Sequence, residues 1–195
     1  MRIQKIVLIA TILLVVSTTE AFAFDDKRKG FLLGLGAGLQ TIDENFKQNG
    51  SNILSQSKNG LATSFKIGGG ITDQFALYYV RNASWFSAPF QNGSTTEDVV
   101  YTIGLSGVGA SYFLSPSVPS GYFLGAFGLG DKFAPLERNV KPDTGSAWMF
   151  GGGYEFKNHV MVEATWLSAN INSSGNSQLS LEASSLQLAI NYVFY

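Results

Sequence analysis

The sequence predicts an all-β fold, an eight-stranded antiparallel barrel with up-and-down connections. Three observations lead to it. Apolar residues recur at every second position along most of the chain, the connections alternate between short and long, and only 14% of the 195 residues are charged. Successive side chains of a strand point to opposite faces, so a period of two indicates a strand. Eight such stretches are present: Lys29–Gln40, Leu61–Ile71, Phe75–Phe86, Val99–Phe113, Gly121–Leu129, Trp148–Phe156, His159–Ser168 and Leu186–Phe194.

The lengths of the connections predict the topology. They follow the order long, short, long, short, long, short, long, which places every long connection at one end of an up-and-down meander. Proline lacks the N–H that a strand ladder needs, and all five prolines fall between the predicted strands. The short connections are 72–74, 115–120 and 157–158, and the long ones are 41–60, 87–98, 130–145 and 169–180.

The bulky face of these strands predicts a transmembrane barrel. In five strands one face is continuously apolar with aromatic residues near the strand ends, and the other face is small or polar. An outer-membrane barrel has an apolar outside with aromatic girdles and a polar inside, whereas a soluble ligand-binding barrel would need the bulky face inside. The strands at 75–86, 99–113 and 121–129 carry aromatics on both faces, which leaves their facing open. The predicted inner face is rich in glycine: Gly34, Gly36, Gly38, Gly68, Gly70, Gly151 and Gly153.

The first residues have the pattern of a secretory signal peptide. Arg2 and Lys5 precede an apolar run, Ile6–Val16, and the small residues Ala21 and Ala23 follow. The apolar run is too short to cross a bilayer as a helix, which takes about 20 residues. We therefore expect residues 1–23 to be a cleaved signal peptide and residues 24–195 to form the barrel.

These features together resemble the small outer-membrane β-barrels of the OmpA transmembrane domain, OmpX, OmpW and opacity-protein type. The residues that carry the resemblance are the signal peptide, the tight turn Ile71–Phe75, the stretch Gly153–Phe156 before another turn, and the aromatic C-terminus. In these proteins an aromatic residue ends a series of alternating hydrophobic residues. Here that series ends at Phe194, and one further residue, Tyr195, lies on the opposite face, so the register of the last strand stays open.

The resemblance implies a place in the cell and a set of partners. It implies a monomer in the bacterial outer membrane, in contact with outer-membrane lipid and lipopolysaccharide and inserted by the barrel-assembly machinery. The short turns would then face the periplasm and the four long loops the outside. The surface ligand is unknown. A net charge of −1 without a basic cluster argues against nucleic acid as a partner.

A few charged residues fall on the predicted inner face. Lys66, Glu155 and Glu163 are among them, and Arg81 and Glu182 join them in one of the possible registers. The resemblance implies that such residues form a lumenal ion-pair network, and a buried charge needs a partner in any case. The alternatives are a gate or pore lining, or a catalytic pair made by the two carboxylates Glu155 and Glu163, for which nothing else in the sequence speaks.

No catalytic, cofactor-binding or metal-binding residue is predicted. The chain has no cysteine and one histidine, His159, which is followed by Val160-Met161 and lacks the His-x-Ser-Asn motif of the barrel enzymes that deacylate lipid A. The sequence therefore predicts a non-enzymatic structural or surface-interaction role. The alternative is a narrow channel or binding barrel for small molecules, hydrophobic ones included, and a lipid A-modifying enzyme is a third hypothesis. A cavity that continues past Lys66 and Glu155 would favour the channel, and a closed ion-pair plug the structural role.

Overall fold

The chain forms one closed antiparallel barrel in which each strand pairs with the next and the last strand closes on the first. The computed structural model describes residues 27–92, 95–137, 142–173, 175 and 178–195, without the side chains of 90–97. The predicted signal peptide, 1–23, lies outside the described residues. The eight predicted strands are confirmed: β1 Gly30–Gln48, β2 Ser51–Gly70, β3 Phe75–Asn92, β4 Thr95–Phe113, β5 Ser120–Phe133, β6 Asp143–Lys157, β7 Val160–Asn172 and β8 Leu179–Phe194. Within those ranges the structure has no helix of the length and apolar character that crossing a membrane requires.

The register of the strands determines the tilt of the barrel. A line drawn across the strands from Leu35 passes from residue to paired residue and returns to β1 at Asn45, ten positions beyond its start. A shear of ten over eight strands corresponds to a tilt of about 40–45° and an interior that side chains can just fill. Each strand residue then rises roughly 2.4 Å along the barrel axis. About ten residues of each strand therefore span an apolar band about 25 Å tall.

The outer wall carries the bulky apolar face, as the alternation predicted for five strands. Large hydrophobic side chains are exposed there over a continuous band, and aromatic residues mark its periplasmic border. In water this exposure would be unfavourable, whereas lipid covers it. The band includes Leu35, Leu39, Leu61, Phe127, Leu129, Trp148, Phe150, Leu186, Leu188 and Ile190, and its border includes Phe31, Tyr112, Tyr154, Phe156 and Tyr192.

Burial also gives the facing of the three strands that the sequence left open. In β3, Tyr78 and Val80 are buried in the interior, whereas Leu77 and Tyr79 are exposed on the wall. The even-numbered residues of β3 and β5 and the odd-numbered residues of β4 face inward over the membrane-spanning part. Both faces of these strands carry aromatics because the interior itself takes up Tyr78, Phe86, Phe113 and Tyr122.

The prediction of four long loops is wrong over much of their length, because strands extend into them. The β1–β2 ladder continues to the pair Gln48–Ser51, and a two-residue turn follows in which Asn49 and Gly50 have φ of 52° and 80°. Two positive φ angles are typical of the tight turn that joins twisted strands. The other three long connections likewise shorten at both ends because the flanking strands extend into them. In β2 and β4 these extensions carry polar residues at both parities, so they lack the periodicity by which a strand is recognised.

The interior is less polar than the sequence predicted. Glycines are present where expected, but large apolar side chains also fill the lumen in its extracellular half. The residues that were not expected there are Ile42, Ile103, Leu105, Leu167 and Ile171. Several glycines allow close approach of neighbouring backbones: a Cβ at Gly38 would lie 2.0 Å from the carbonyl oxygen of Leu188.

Gly38→Val should destabilise the barrel because the backbone of β8 would have to move to admit the new side chain. We expect a loss of at least about 2 kcal/mol in the free energy of unfolding, with a smaller fraction of heat-resistant folded protein on unheated SDS gels. Gly125→Val is the control, since the nearest atom to its added Cβ is 3.8 Å away. Equal folded fractions for the two variants would contradict the close packing at Gly38.

Candidate functional site

Arg28 closes the periplasmic end of the lumen. It precedes β1, and its side chain is buried in the opening of the barrel. Its Nε donates to Glu155 Oε2 at 2.7 Å, and its Nη2 lies 2.6 Å from the same oxygen. Its Nη1 donates to the carbonyl oxygens of Asp73 and Ser115 at 3.1 and 2.9 Å, and the guanidinium lies 4.1 Å from the centre of the Phe113 ring. One side chain thus ties β6 to two periplasmic turns.

The C-terminus packs into the same end of the barrel. Tyr195 points inward and is 1% exposed, which agrees with its place on the face opposite the outer series of β8. The ring of His159 lies 4.9 Å from the Tyr195 ring, and its Nδ1 is 2.8 Å from the carbonyl oxygen of Val193. His159 has φ of 72° and occupies the β6–β7 turn. Its contacts are those of a residue that holds the C-terminal strand.

A second ion pair lies deeper in the lumen. Lys66 Nζ and Glu163 Oε2 are 2.5 Å apart, and both side chains are buried. The Tyr122 hydroxyl donates to the same carboxylate oxygen at 2.9 Å. Lys66 Nζ lies 5.6 Å from the centre of the Tyr78 ring, whose hydroxyl is 2.7 Å from Ser111 Oγ. The pair is therefore enclosed by aromatic rings contributed by β3 and β5.

A chain of uncharged polar side chains crosses the lumen above this pair. It begins on β7 with Thr165, which donates to Gln187, and Gln187 donates to Ser84 at 3.0 Å. Ser84 and Ser185 are 2.9 Å apart, Ser185 donates to the Gln40 amide oxygen, and Gln40 Nε2 donates to the carbonyl oxygen of Trp85 at 3.3 Å. The chain links β7, β8, β3 and β1 across the barrel. The apolar side chains of the extracellular half pack around and above it.

A third ion pair lies near the extracellular rim. Lys132 Nζ is 2.5 Å from Oε1 of Glu44, which is fully buried, and Gln56 Nε2 donates to Oε2 of the same carboxylate at 2.7 Å. The lysine ammonium lies 4.7, 5.4 and 5.9 Å from three aromatic ring centres, those of Phe46, Tyr101 and Phe86. Outside this layer is a shallow pocket of about 280 Å³ lined chiefly by Phe46, Ile53, Leu54, Ile171, Leu179 and Leu181.

The residues expected to form a lumenal network divide between the two faces of the wall. Lys66 and Glu163 pair with each other, and Glu155 pairs with Arg28 instead of joining them. The expectation that Arg81 lies inside is wrong, because the odd-numbered residues of β3 face outward. Glu182 lies at the extracellular rim, 2.6 Å from Lys47, and is nearly half exposed.

On the outer wall Arg81 forms an ion pair of its own. Its Nη1 donates to Asp131 Oδ1 at 2.7 Å and to Ser106 Oγ at 3.1 Å. The guanidinium passes over Gly104, where a Cβ would lie 3.1 Å from Arg81 Cζ. Arg81 thereby reaches from the apolar band toward the extracellular border, as long cationic side chains do in membranes.

Sequence reasoning missed Arg28, Lys132 and Glu44. Continuing the alternation of β1 beyond Gln40 through Ile42 would have placed Glu44 on the inner face. Arg28 had no such signal, because it precedes the first strand and reaches its site only through the tertiary fold. Among the described residues no group of three or more metal-ligating side chains could hold an ion.

A closed antiparallel barrel with an apolar outer band and paired charges inside defines an integral membrane protein of the bacterial outer membrane. The chain belongs to the family described as outer membrane protein beta-barrel domain, whose model matches residues 9–194. Among curated proteins, none matches the chain in sequence.

Three solved structures are similar to this chain. OprG from Pseudomonas aeruginosa is 13% identical with a TM-score of 0.52, over 87% of this chain and 99% of that one. Neisserial surface protein A is 13% identical, with a TM-score of 0.48 over 81% and 96%. The attachment invasion locus protein Ail of Yersinia pestis is 11% identical, with a TM-score of 0.47 over 84% and 99%. At these identities the likeness to OprG shows the shared fold alone.

Lys66→Met should lower the free energy of unfolding by about 3–5 kcal/mol, because Glu163 would stay buried without its partner. Adding Glu163→Gln should restore part of that loss, since no unpaired charge remains. Urea titrations in detergent micelles, followed by tryptophan fluorescence, would measure both. Lys47→Met is the control, because its partner Glu182 lies at the rim and such a pair contributes about 0–1 kcal/mol. Equal losses for the two lysine variants would contradict a buried, paired Lys66.

Proposed function

We propose that this protein is a sealed, non-enzymatic barrel of the outer membrane with a structural and surface-interaction role. The observation that carries the proposal is the filling of the lumen at three levels by buried ion pairs. Arg28 with Glu155 lies at the periplasmic end, Lys66 with Glu163 in the middle, and Lys132 with Glu44 near the outside. A solute crossing the lumen would have to separate each pair in turn.

Energetics favour a seal over a gate. Removing one partner from a buried ion pair costs about 3–5 kcal/mol, and these pairs are further held by tyrosine, glutamine and backbone groups. Eight strands leave an interior only wide enough for side chains. The arrangement therefore supports a barrel that resists opening.

The alternative, a binding barrel for small hydrophobic molecules, has one observation in its favour. The apolar pocket at the extracellular mouth is large enough for a small molecule, but its lining includes Lys132, which pairs with Glu44. It supports binding at the surface without passage through the lumen.

Outer-membrane lipid and lipopolysaccharide are the partners that the outer wall suits. The apolar band faces the acyl chains, and the pair Arg81–Asp131 lies toward the headgroups. The alternating hydrophobic residues of β8, which end at Phe194, support insertion by the barrel-assembly machinery.

Purified protein in a planar lipid bilayer should produce no discrete current steps, because the lumen is filled with paired charges. A porin inserted in the same bilayer is the positive control, and the heat-dependent gel shift of the sample verifies folding. Regular unitary steps from folded protein would contradict the sealed role and support the channel.

Lipid A extracted from strains with and without the protein should give the same mass spectrum. The reason is that Glu155 and Glu163 are each held by a cation in the interior, and His159 holds the C-terminal strand. Loss or gain of an acyl chain only in the strain that makes the protein would contradict a non-enzymatic role.

A further inference from the structure

The wall of the barrel is divided between β2 and β3 on the extracellular side. The two strands pair from Gly70–Ala76 up to Leu61–Trp85 and no farther. Yet β2 continues to Ser51 and β3 to Asn92. Because Leu61 belongs to the upper border of the apolar band, the separated segments lie above the membrane.

Proline prevents the ladder from resuming farther up. Continuing the register of Leu61–Trp85 by four residues would set Ser57 opposite Pro89. Proline has no N–H to donate, and in a ladder it is tolerated only at an edge or bulge. The β2–β3 ladder therefore cannot continue intact past this point, and each strand keeps an unpaired edge.

The unpaired edge of β2 is better supported than that of β3. Behind β2, the strands β1 and β8 remain paired up to the tip, where Gln48 pairs with both Ser51 and Leu179. The upper part of β3 pairs with β4 alone, because the β4–β5 ladder ends at Thr102–Phe133. A two-stranded ribbon is marginally stable by itself, whereas a strand backed by two others is preorganised.

The phase of the ladder shows which backbone groups point out from β2. Ile71 N–H donates to the carbonyl oxygen of Phe75, so residues of β2 in phase with Ile71 direct their N–H and C=O toward β3. Beyond Leu61 these are Asn59, Ser57 and Ser55. We call them the β2 edge. Farther on, a bulge at Ile53, opposite the step from Phe46 to Lys47, ends the regular edge.

The β2 edge has only one of the usual protections of an exposed strand, a single inward lysine. Edges are commonly blunted by proline, inward charges or covering elements. From Ser51 to Gly60 there is no proline and one charged residue, Lys58. The side chain of Lys58 lies on the lumen side of β2, between the edge residues Ser57 and Asn59. It forms no ion pair within the described part of the chain.

We propose that the β2 edge binds an extended peptide segment of another protein by β-strand addition, with an acidic residue of that segment beside Lys58. Three N–H and three C=O groups at strand spacing are complementary to the backbone of a second strand. Sugars and lipids offer no such repeat, and β3 does not pair with this edge. Opposite charges on neighbouring strands add to the pairing. The inference rests on the proposed surface-interaction role and names the surface that performs it.

The test uses synthetic peptides and the full barrel folded in detergent micelles. One ten-residue peptide alternates valine with glutamate, and its counterpart alternates valine with lysine. Fluorescence anisotropy should show that the glutamate peptide binds at least tenfold more tightly, and Lys58→Glu should reverse the preference. A version of the glutamate peptide N-methylated at alternate residues should not bind. Binding of the methylated peptide, or no preference between the two charges, would overturn the proposal.

Substitutions on both sides of the separation locate the site. Ser57→Pro removes an edge N–H and should weaken binding at least tenfold, whereas Ser57→Ala keeps the N–H and should bind as the native chain does. Pro89→Thr should allow β2 and β3 to pair, which would slow amide exchange at Ser57 and weaken binding. Unchanged affinity in both Ser57→Pro and Pro89→Thr would overturn the proposal.

Two further results separate the possible outcomes. If the protein forms a dimer and Ser57→Pro dissociates it, the edge binds a second copy of this chain. That result would overturn the peptide assignment. Current steps in the bilayer experiment together with peptide binding would overturn the sealed lumen but leave the β2 edge intact. The gel shift of each variant verifies that the barrel is folded, and the methylated peptide tests the edge without any substitution.

Discussion

The hydrogen bonding of the backbone inside lipid is the constraint on which the rest of this structure depends. Hydrocarbon offers no partner to an N–H or C=O, so each strand must pair on both sides through the membrane and β1 must close on β8. Closing eight strands with a shear of ten determines a narrow interior. The contents of the lumen follow from that width: glycines where backbones approach, and side chains that fill the remaining space.

A narrow interior also determines how charge is held. A charge enclosed in protein and cut off from water needs a partner and further hydrogen bonds. Each inward lysine or arginine of the three layers has its own carboxylate: Arg28 has Glu155, Lys66 has Glu163, and Lys132 has Glu44. Neighbouring tyrosine, glutamine and backbone groups complete these pairs. The same contacts that stabilise the barrel therefore also seal it.

Above the membrane the constraint is relaxed, because water can satisfy the backbone. The strands continue there as ribbons, and β2 and β3 separate beyond the pair Leu61–Trp85, with Pro89 opposing their pairing farther up. In the apolar band such an unpaired edge would not be tolerated. Its position just beyond Leu61 thus places the exposed backbone where other proteins can reach it, while the membrane-spanning ladder stays closed.

The sequence by itself determined the position and facing of those strands whose two faces lie in different environments. Where lipid faces one side of a strand and the lumen the other, the alternation predicts the strand and its facing, as in β1, β2, β6, β7 and β8. It also placed Lys66, Glu155 and Glu163 inside. Only the tertiary structure decided which residues pair, that Arg81 lies outside, and that Arg28 and Lys132 complete the interior, because these contacts join strands distant in sequence. The extensions of β2 and β4 beyond the membrane escaped prediction because they carry polar residues on both faces, which leaves no periodic pattern.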